Sequence, residues 1–198
     1  YTLAVGIDAY KGRITPLEYA VADASAVAST LDRLNAGGSF YDRVVSAVLR
    51  DRQASREAVL SAIAEIADKA DKDDAVIVYL AGHGVTGADG YAFLTSDVRS
   101  VDEAAVQGVA HADLVAALGN IVAPNVLLFL DTCYSGAFHL EKPDTLAHET
   151  GRFVLTAAKS EQEAFDKVAG ADNGVFAFAV VQGLQGRAAI VGSDHVGA

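Results

Sequence analysis

The sequence has only one cysteine, Cys133, and no methionine or tryptophan among its 198 residues. One cysteine permits no internal disulfide, so we expect a reducing compartment and a cytoplasmic location. No apolar run approaches the ~20 residues of a membrane-spanning helix, and no secretory signal peptide is visible. Because position 1 is not methionine and the chain starts inside an apparent strand, we expect a domain excised from a longer protein.

Basic residues are also scarce. The chain has 15 lysines and arginines against 26 acidic residues, which gives a formal net charge of −11. This balance argues against non-specific nucleic-acid binding and against binding to anionic membrane surfaces. It is compatible with cationic partners or substrates.

The length and composition indicate one globular domain over residues 1–198. Hydrophobic residues make up 52% of the chain, which is too many for a disordered segment. A chain of this length can bury a full hydrophobic core. No internal repeat or low-complexity linker divides it.

Apolar runs typical of strands alternate with segments of helical periodicity, which predicts an α/β fold with a mostly parallel sheet flanked by helices on both faces. Thr15 and Pro16 have the form of a helix start. We expect segment 84–94 to form a hairpin and segment 176–184 to be a buried helix or strand. The other predicted strands are 3–7, 44–49, 75–80, 126–130 and 153–157, and the other predicted helices are 17–31, 55–70 and 111–118.

Two chemically distinctive residues follow predicted strands. His83 ends the phrase Tyr-Leu-Ala-Gly-His and lies 50 positions before Cys133, which stands in Asp-Thr-Cys-Tyr-Ser-Gly. Singly, each has an ordinary explanation, since a lone cysteine is usually a buried apolar residue and a histidine beside glycine is usually a loop residue. Together, at the carboxyl ends of parallel strands, they are the parts of a cysteine nucleophile and its base.

Such a nucleophile needs donors for the oxyanion that forms on the substrate carbonyl. The backbone N–H groups of Gly84 and Cys133 are the expected donors. Gly82 and Gly84 lack Cβ and would let a substrate backbone come close, although a tight turn explains them equally well. The remaining histidines are weaker base candidates because none follows a predicted strand: His111, His139, His148 and His195.

These two motifs resemble those of the caspase-like cysteine peptidases, and most closely those of the metacaspase and orthocaspase branch. A histidine about 50 residues before the cysteine is the known caspase arrangement. Weaker similarities occur in the family's order at segments 5–8, 17–31, 155–164 and 174–184. The resemblance implies a caspase-like sandwich, a catalytic dyad of His83 and Cys133, and an oxyanion hole at Gly84 and Cys133.

The resemblance also bears on substrate choice. Asp131 lies two residues before Cys133, and Asp23 stands where metacaspase-like proteins carry a second pocket acid. Acids at these positions resemble the branch that cleaves after Arg or Lys, and Arg can pair bidentately with a carboxylate. Structural alternatives remain open, because Asp23 could cap a helix that begins late and Asp131 could hydrogen-bond a loop.

The sequence carries only weak indications of how the enzyme would be activated. Some relatives cleave themselves in the loop after the cysteine, and Lys142 and Arg152 are basic residues in the expected loop 138–152. We expect no required cofactor. Calcium is retained as a candidate activator because some metacaspases need it, and the nearest acidic group is Asp97, Asp102 and Glu103.

The leading functional prediction is therefore a cysteine endopeptidase acting on protein or peptide substrates with Arg or Lys before the cut bond. One alternative is a latent caspase-like module of a larger signalling, cell-death or defence protein, whose other domains would be its partners. A second is a legumain-like or separase-like hydrolase. A non-catalytic scaffold is the least favoured, since a scaffold needs neither Cys133 nor His83.

Overall fold

The computed structural model describes residues 1–36, 41–88, 90–138, 151–157 and 173–187. Strands and helices alternate through most of this length. The strands are β1 (Thr2–Gly6), β2 (Ser46–Arg50), β3 (Ala75–Ala81), β4 (Gly84–Gly87), β5 (Gly90–Phe93), β6 (Val109–Ala110), β7 (Asn125–Asp131) and β8 (Arg152–Thr156). The helices are α1 (Ala20–Leu34), α2 (Arg56–Lys69), α3 (Ala104–Gln107), α4 (His111–Gly119) and α5 (Val175–Leu184).

The main sheet is parallel throughout, which confirms the predicted α/β class. Among the described residues it has five strands in the order β2-β1-β3-β7-β8. The chain moves from β1 to β2 on one side and then returns to β3 on the other. In open α/β sheets, sites form beyond the carboxyl ends of the strands at such a reversal.

Side-chain alternation along these strands produces a hydrophobic cluster on each face of the sheet. On one face, strand residues pack with Val59 and Ile63 of α2 and Leu114 of α4. On the other face, Tyr79 and Phe129 pack with α1 and α5. Because both faces are covered, the strands read in the sequence as continuous apolar runs.

The first helix begins at Ala20, so the predicted start at Thr15 and Pro16 is wrong. The carboxylate of Asp8, just beyond β1, accepts hydrogen bonds from the backbone N–H groups of Ala20 at 2.8 Å and Val21 at 3.2 Å. This acid therefore satisfies the donors at the helix start from 12 residues away. Residues 15–19 are left as a loop that lies beside the site.

The predicted hairpin is confirmed as β4 and β5, which pair antiparallel. The short strand β6 pairs antiparallel with β5 and completes this second sheet. Segment 175–184 forms a helix, which settles the alternative left open by its sequence. Most of the expected loop 138–152 lies outside the described residues, and its last residue, Arg152, begins β8. Within the described part of the chain, no helix has both the length and the apolar character needed to span a bilayer.

Candidate active site

The sheet register brings the two predicted catalytic residues to one edge. Strands β3 and β7 are neighbours, and Ala81 is paired with Asp131. His83 and Cys133 each follow this pair by two residues. The N–H of Gly82 donates to the carbonyl oxygen of Asp131 at 3.3 Å, so the two chains stay side by side beyond the strands.

The backbones after the two strands touch at Gly84. A Cβ added to this glycine would lie 2.5 Å from the carbonyl oxygen of Cys133 and 2.6 Å from Oγ1 of Thr132. A Cβ at Gly82 would lie 2.6 Å from the hydroxyl of Tyr10. The space beside both glycines is thus occupied by the protein's own atoms, and only glycine permits this approach.

Two groups from the loop after β1 hold His83. Its Nε2 lies 2.7 Å from the carbonyl oxygen of Thr15, and its backbone N–H donates to the Tyr10 hydroxyl at 2.8 Å. The tyrosine and histidine rings also contact each other, with their centroids 5.0 Å apart. A carbonyl oxygen can only accept, so Nε2 carries the proton and Nδ1 is left as the basic nitrogen.

Cys133 is partly exposed and is followed by a strained turn. Tyr134 has φ 54° and ψ 15°, a left-handed conformation that costs a non-glycine residue roughly 1–2 kcal/mol. On the buried side, the hydroxyl of Tyr91 bonds Oγ1 of Thr132 at 2.8 Å. Burial raises the pKa of Tyr91, its hydrogen bond with Thr132 lowers it, and the charge that Cys133 can carry raises it.

Asp131 is tied to the interior of the sheet. The hydroxyl of Tyr79, which is fully buried, donates to Oδ2 of Asp131 at 2.5 Å. Tyr79 lies in β3, so this hydrogen bond joins Asp131 to a neighbouring strand and not to a loop. The pKa of Tyr79 is raised well above its ordinary value by burial, then by the charge and hydrogen bond of Asp131, and also by the charge of Asp23.

Asp23 lies on α1, over the same face of the sheet. It lies in the first turn of α1, after the helix start at Ala20, so the alternative in which Asp23 caps this helix is wrong. Only 4% of its surface is exposed, and Oδ1 accepts from Nδ2 of Asn173 at 2.8 Å and from the backbone N–H of Gly174 at 3.0 Å. Burial raises its pKa, the two hydrogen bonds oppose this, and the nearby charge of Asp8 adds to it.

The structure brings the two predicted catalytic residues to neighbouring strand ends, since His83 follows β3 and Cys133 follows β7. Asp131 accepts a hydrogen bond from Tyr79, and the charges of Asp131 and Asp23 both raise the pKa of Tyr79. In the chain as described, the ion pairs join α2 to α4, lie on the surface of α2 or lie in the turn before β3, and none of them involves Asp23.

The predicted processing residues lie elsewhere. Lys142 is outside the described residues. Arg152 is half-buried in β8, where its guanidinium donates to the carbonyl oxygens of Leu118 and Ile121, both at 2.7 Å. Burial lowers the pKa of Arg152. These contacts bind β8 to the end of α4 and to the segment that follows it.

The acids considered for calcium do not form a cluster. Asp97 accepts from the backbone N–H of Arg56 at 3.2 Å, which places it at the start of α2. No group of three or more His, Cys, Asp or Glu side chains suited to a metal ion occurs in the described ranges. Calcium activation stays a prediction that this geometry does not test.

Comparison with known proteins adds to this geometry. The model of the caspase domain family matches residues 1–195. The chain belongs to the caspase domain family. The match spans both strand-end motifs, and it confirms the predicted relationship to caspase-like cysteine peptidases.

A solved structure supports the fold of this caspase domain independently. The crystal structure of protein GSU0716 from Geobacter sulfurreducens superposes with a TM-score of 0.62 over 93% of this chain and 82% of that chain, at 20% identity. At this identity the likeness concerns the fold alone. No curated protein matches the chain.

Several contacts were not anticipated from the sequence. Tyr79 and Tyr91 look like ordinary members of apolar strands, and only their hydroxyl groups signal a need for a polar partner. Thr15 acts through its carbonyl oxygen, for which no side-chain signal exists. Asn173 directly precedes Gly174, the residue before α5, and could have been noted as a polar residue at a helix start.

Proposed function

We propose that this caspase domain is a cysteine endopeptidase that cleaves after Arg or Lys. His83, through Nδ1, takes the proton from the Cys133 thiol, and the thiolate attacks the substrate carbonyl carbon. The backbone N–H groups of Gly84 and Cys133 then donate to the oxyanion. Support comes from the register of β3 and β7 and from the backbone contact between Gly84 and Cys133.

The proton then moves to the leaving amine. The His83 imidazolium protonates this nitrogen as the peptide bond breaks, which leaves a thioester on Cys133. Water, deprotonated by the same imidazole, hydrolyses the thioester and restores the thiol. The hydrogen bond to Thr15 favours this cycle because it stabilises the charged ring and holds its tautomer.

The preference for a basic side chain rests on one observation, the buried carboxylate of Asp23, whose pKa is also raised by the charge of a second acid, Asp8. The described partners of Asp23 are neutral amide donors, and burial raises its pKa. An incoming Arg or Lys would supply a cation and offset the mutual repulsion of the acids. An aspartate side chain would add to that repulsion.

Turnover of peptide reporters tests this proposal. Matched reporters ending in Arg, Lys or Asp are assayed with wild type and with Cys133→Ala, each with and without calcium. We expect turnover of the Arg and Lys reporters only, and its loss in the variant. Preference for Asp, or turnover that survives in the variant, would overturn the proposal.

A further inference from the structure

We propose that Tyr79 is a positioning residue for substrate specificity, which holds the Asp131 carboxylate where it can pair with a basic substrate side chain. This inference rests on the proposed function and extends it to a residue inside the sheet. Tyr79 itself would not touch the substrate. It would act through its hydrogen bond to Oδ2 of Asp131.

The position of Tyr79 explains why this contact matters. It lies within β3, is paired with Phe129 on β7, and is fully buried in the cluster beneath α1. The ring of Phe129 packs against it with a centroid distance of 6.4 Å. Phenylalanine would supply the same packing, whereas the tyrosine hydroxyl adds a polar group that a buried site must satisfy.

The hydroxyl reaches along the sheet toward the carboxyl edge. Asp131 follows Phe129 by two residues, so alternation places both side chains on the face that carries Tyr79. A donor on Oδ2 restricts the rotation of the carboxylate and stabilises its charge. A carboxylate has about four lone pairs, and one hydroxyl uses one of them.

The surroundings keep Tyr79 in its donor form. Its pKa is raised first by burial and then by the two acids, so the hydroxyl stays protonated in the whole range where proteins are active. Tyr79 is therefore a hydrogen-bond donor to Asp131 at neutral pH.

A pair of reporters separates a positioning role from a purely structural one. The two differ only in Arg or citrulline, its neutral isostere, before the cut bond. We expect Tyr79→Phe to reduce the Arg-to-citrulline ratio of kcat/KM by about tenfold, mainly through a higher KM for the Arg reporter. Tyr91→Phe, which also removes a buried hydroxyl, is the matched control and should leave the ratio at the wild-type value.

A double-mutant cycle tests whether Tyr79 acts on specificity through Asp131. If Tyr79 acts through Asp131, Tyr79→Phe should change the ratio little in an Asp131→Asn background. An effect of full size there, or an equal loss on both reporters in the single variant, would overturn the inference. A wild-type preference for Arg with an Arg-to-citrulline ratio that Tyr79→Phe leaves unchanged would overturn the inference alone. A wild type without that preference would overturn the proposed function, and this inference with it.

Discussion

The Nε2–H of His83 donates to the backbone carbonyl oxygen of Thr15 at 2.7 Å. Thr15 belongs to the loop between β1 and α1, whereas His83 follows β3. The loop after one strand therefore fixes the tautomer of a histidine that follows the neighbouring strand. Because a backbone group does this, side-chain substitution at Thr15 would preserve it. The same loop contributes the Tyr10 hydroxyl to the His83 backbone.

The first prediction concerns His83 as the base. His83→Ala should keep the fold but lower peptide turnover by about 10²–10⁴-fold, because thiolate formation and protonation of the leaving amine both lose their proton carrier. The rate of Cys133 alkylation by iodoacetamide should fall with it. His195→Ala serves as the control. Unchanged alkylation and turnover in His83→Ala would show that another group is the base, and His139 would be the next to test.

The second prediction uses two glycines of one strand. Gly84→Ala should lower stability by about 1–3 kcal/mol and reduce activity, because the added methyl meets the Cys133 carbonyl and must displace the chain around the nucleophile. Gly87→Ala, also on β4, meets no atom within 4 Å and should be close to neutral. Chemical unfolding and reporter turnover measure both effects. Equal behaviour of the two variants would contradict the contact between Gly84 and Cys133.

The third prediction links specificity to stability at Asp23. Its pKa in the folded protein is raised above the ordinary 3.8, so the folded state binds the proton more tightly than the unfolded chain. Stability should therefore fall as pH rises from the ordinary value through the raised one. Asp23→Asn removes this loss and keeps an acceptor for Asn173 and Gly174.

We therefore expect Asp23→Asn to be at least as stable as wild type at pH 7, with the two converging near pH 4. Cleavage after Arg should nevertheless decrease about tenfold in kcat/KM. Urea unfolding at several pH values and reporter kinetics measure the two effects. A variant that is less stable at pH 7 yet cleaves Arg reporters normally would return Asp23 to a structural role.

The fourth prediction concerns self-cleavage. We expect it after Lys142 in preference to Arg152, because the peptide bond after Arg152 lies in β8 and its side chain is bound to α4. Intact-mass analysis of incubated enzyme should show a fragment ending at Lys142 that disappears in Lys142→Gln. Arg152→Gln should keep this fragment and lose about 1–3 kcal/mol of stability. A fragment ending at Arg152 would contradict this order.

Much of the fold could be predicted because its signals are local. Continuous apolar runs marked the strands, and glycine with a reactive residue after each of β3 and β7 indicated His83 and Cys133. The start of α1 was mispredicted because Thr15 and Pro16 resemble a helix start, whereas the group that caps the helix is Asp8 at the end of β1. Sequence periodicity carries no information on such a long-range hydrogen bond.

The charged residues of the candidate site could be predicted from the sequence, but the residues that hydrogen-bond to them could not. Asp23 and Asp131 could be singled out through resemblance, but their partners come from other elements. Tyr79 reaches Asp131 from 52 positions away, and Asn173 reaches Asp23 from 150. These contacts depend on strand order and helix placement, so only the folded chain reveals them.

The most direct test of the central claim is covalent labelling with two matched peptidyl acyloxymethyl ketones, one carrying Arg and one carrying Asp next to the reactive group. Intact-protein and peptide mass spectrometry then identify the labelled residue and the rate of each reaction. We expect a single label on Cys133, with the Arg reagent at least tenfold faster than the Asp reagent and both slowed by His83→Ala. Labelling at another residue, or faster reaction with the Asp reagent, would contradict a Cys133 and His83 peptidase that prefers basic side chains.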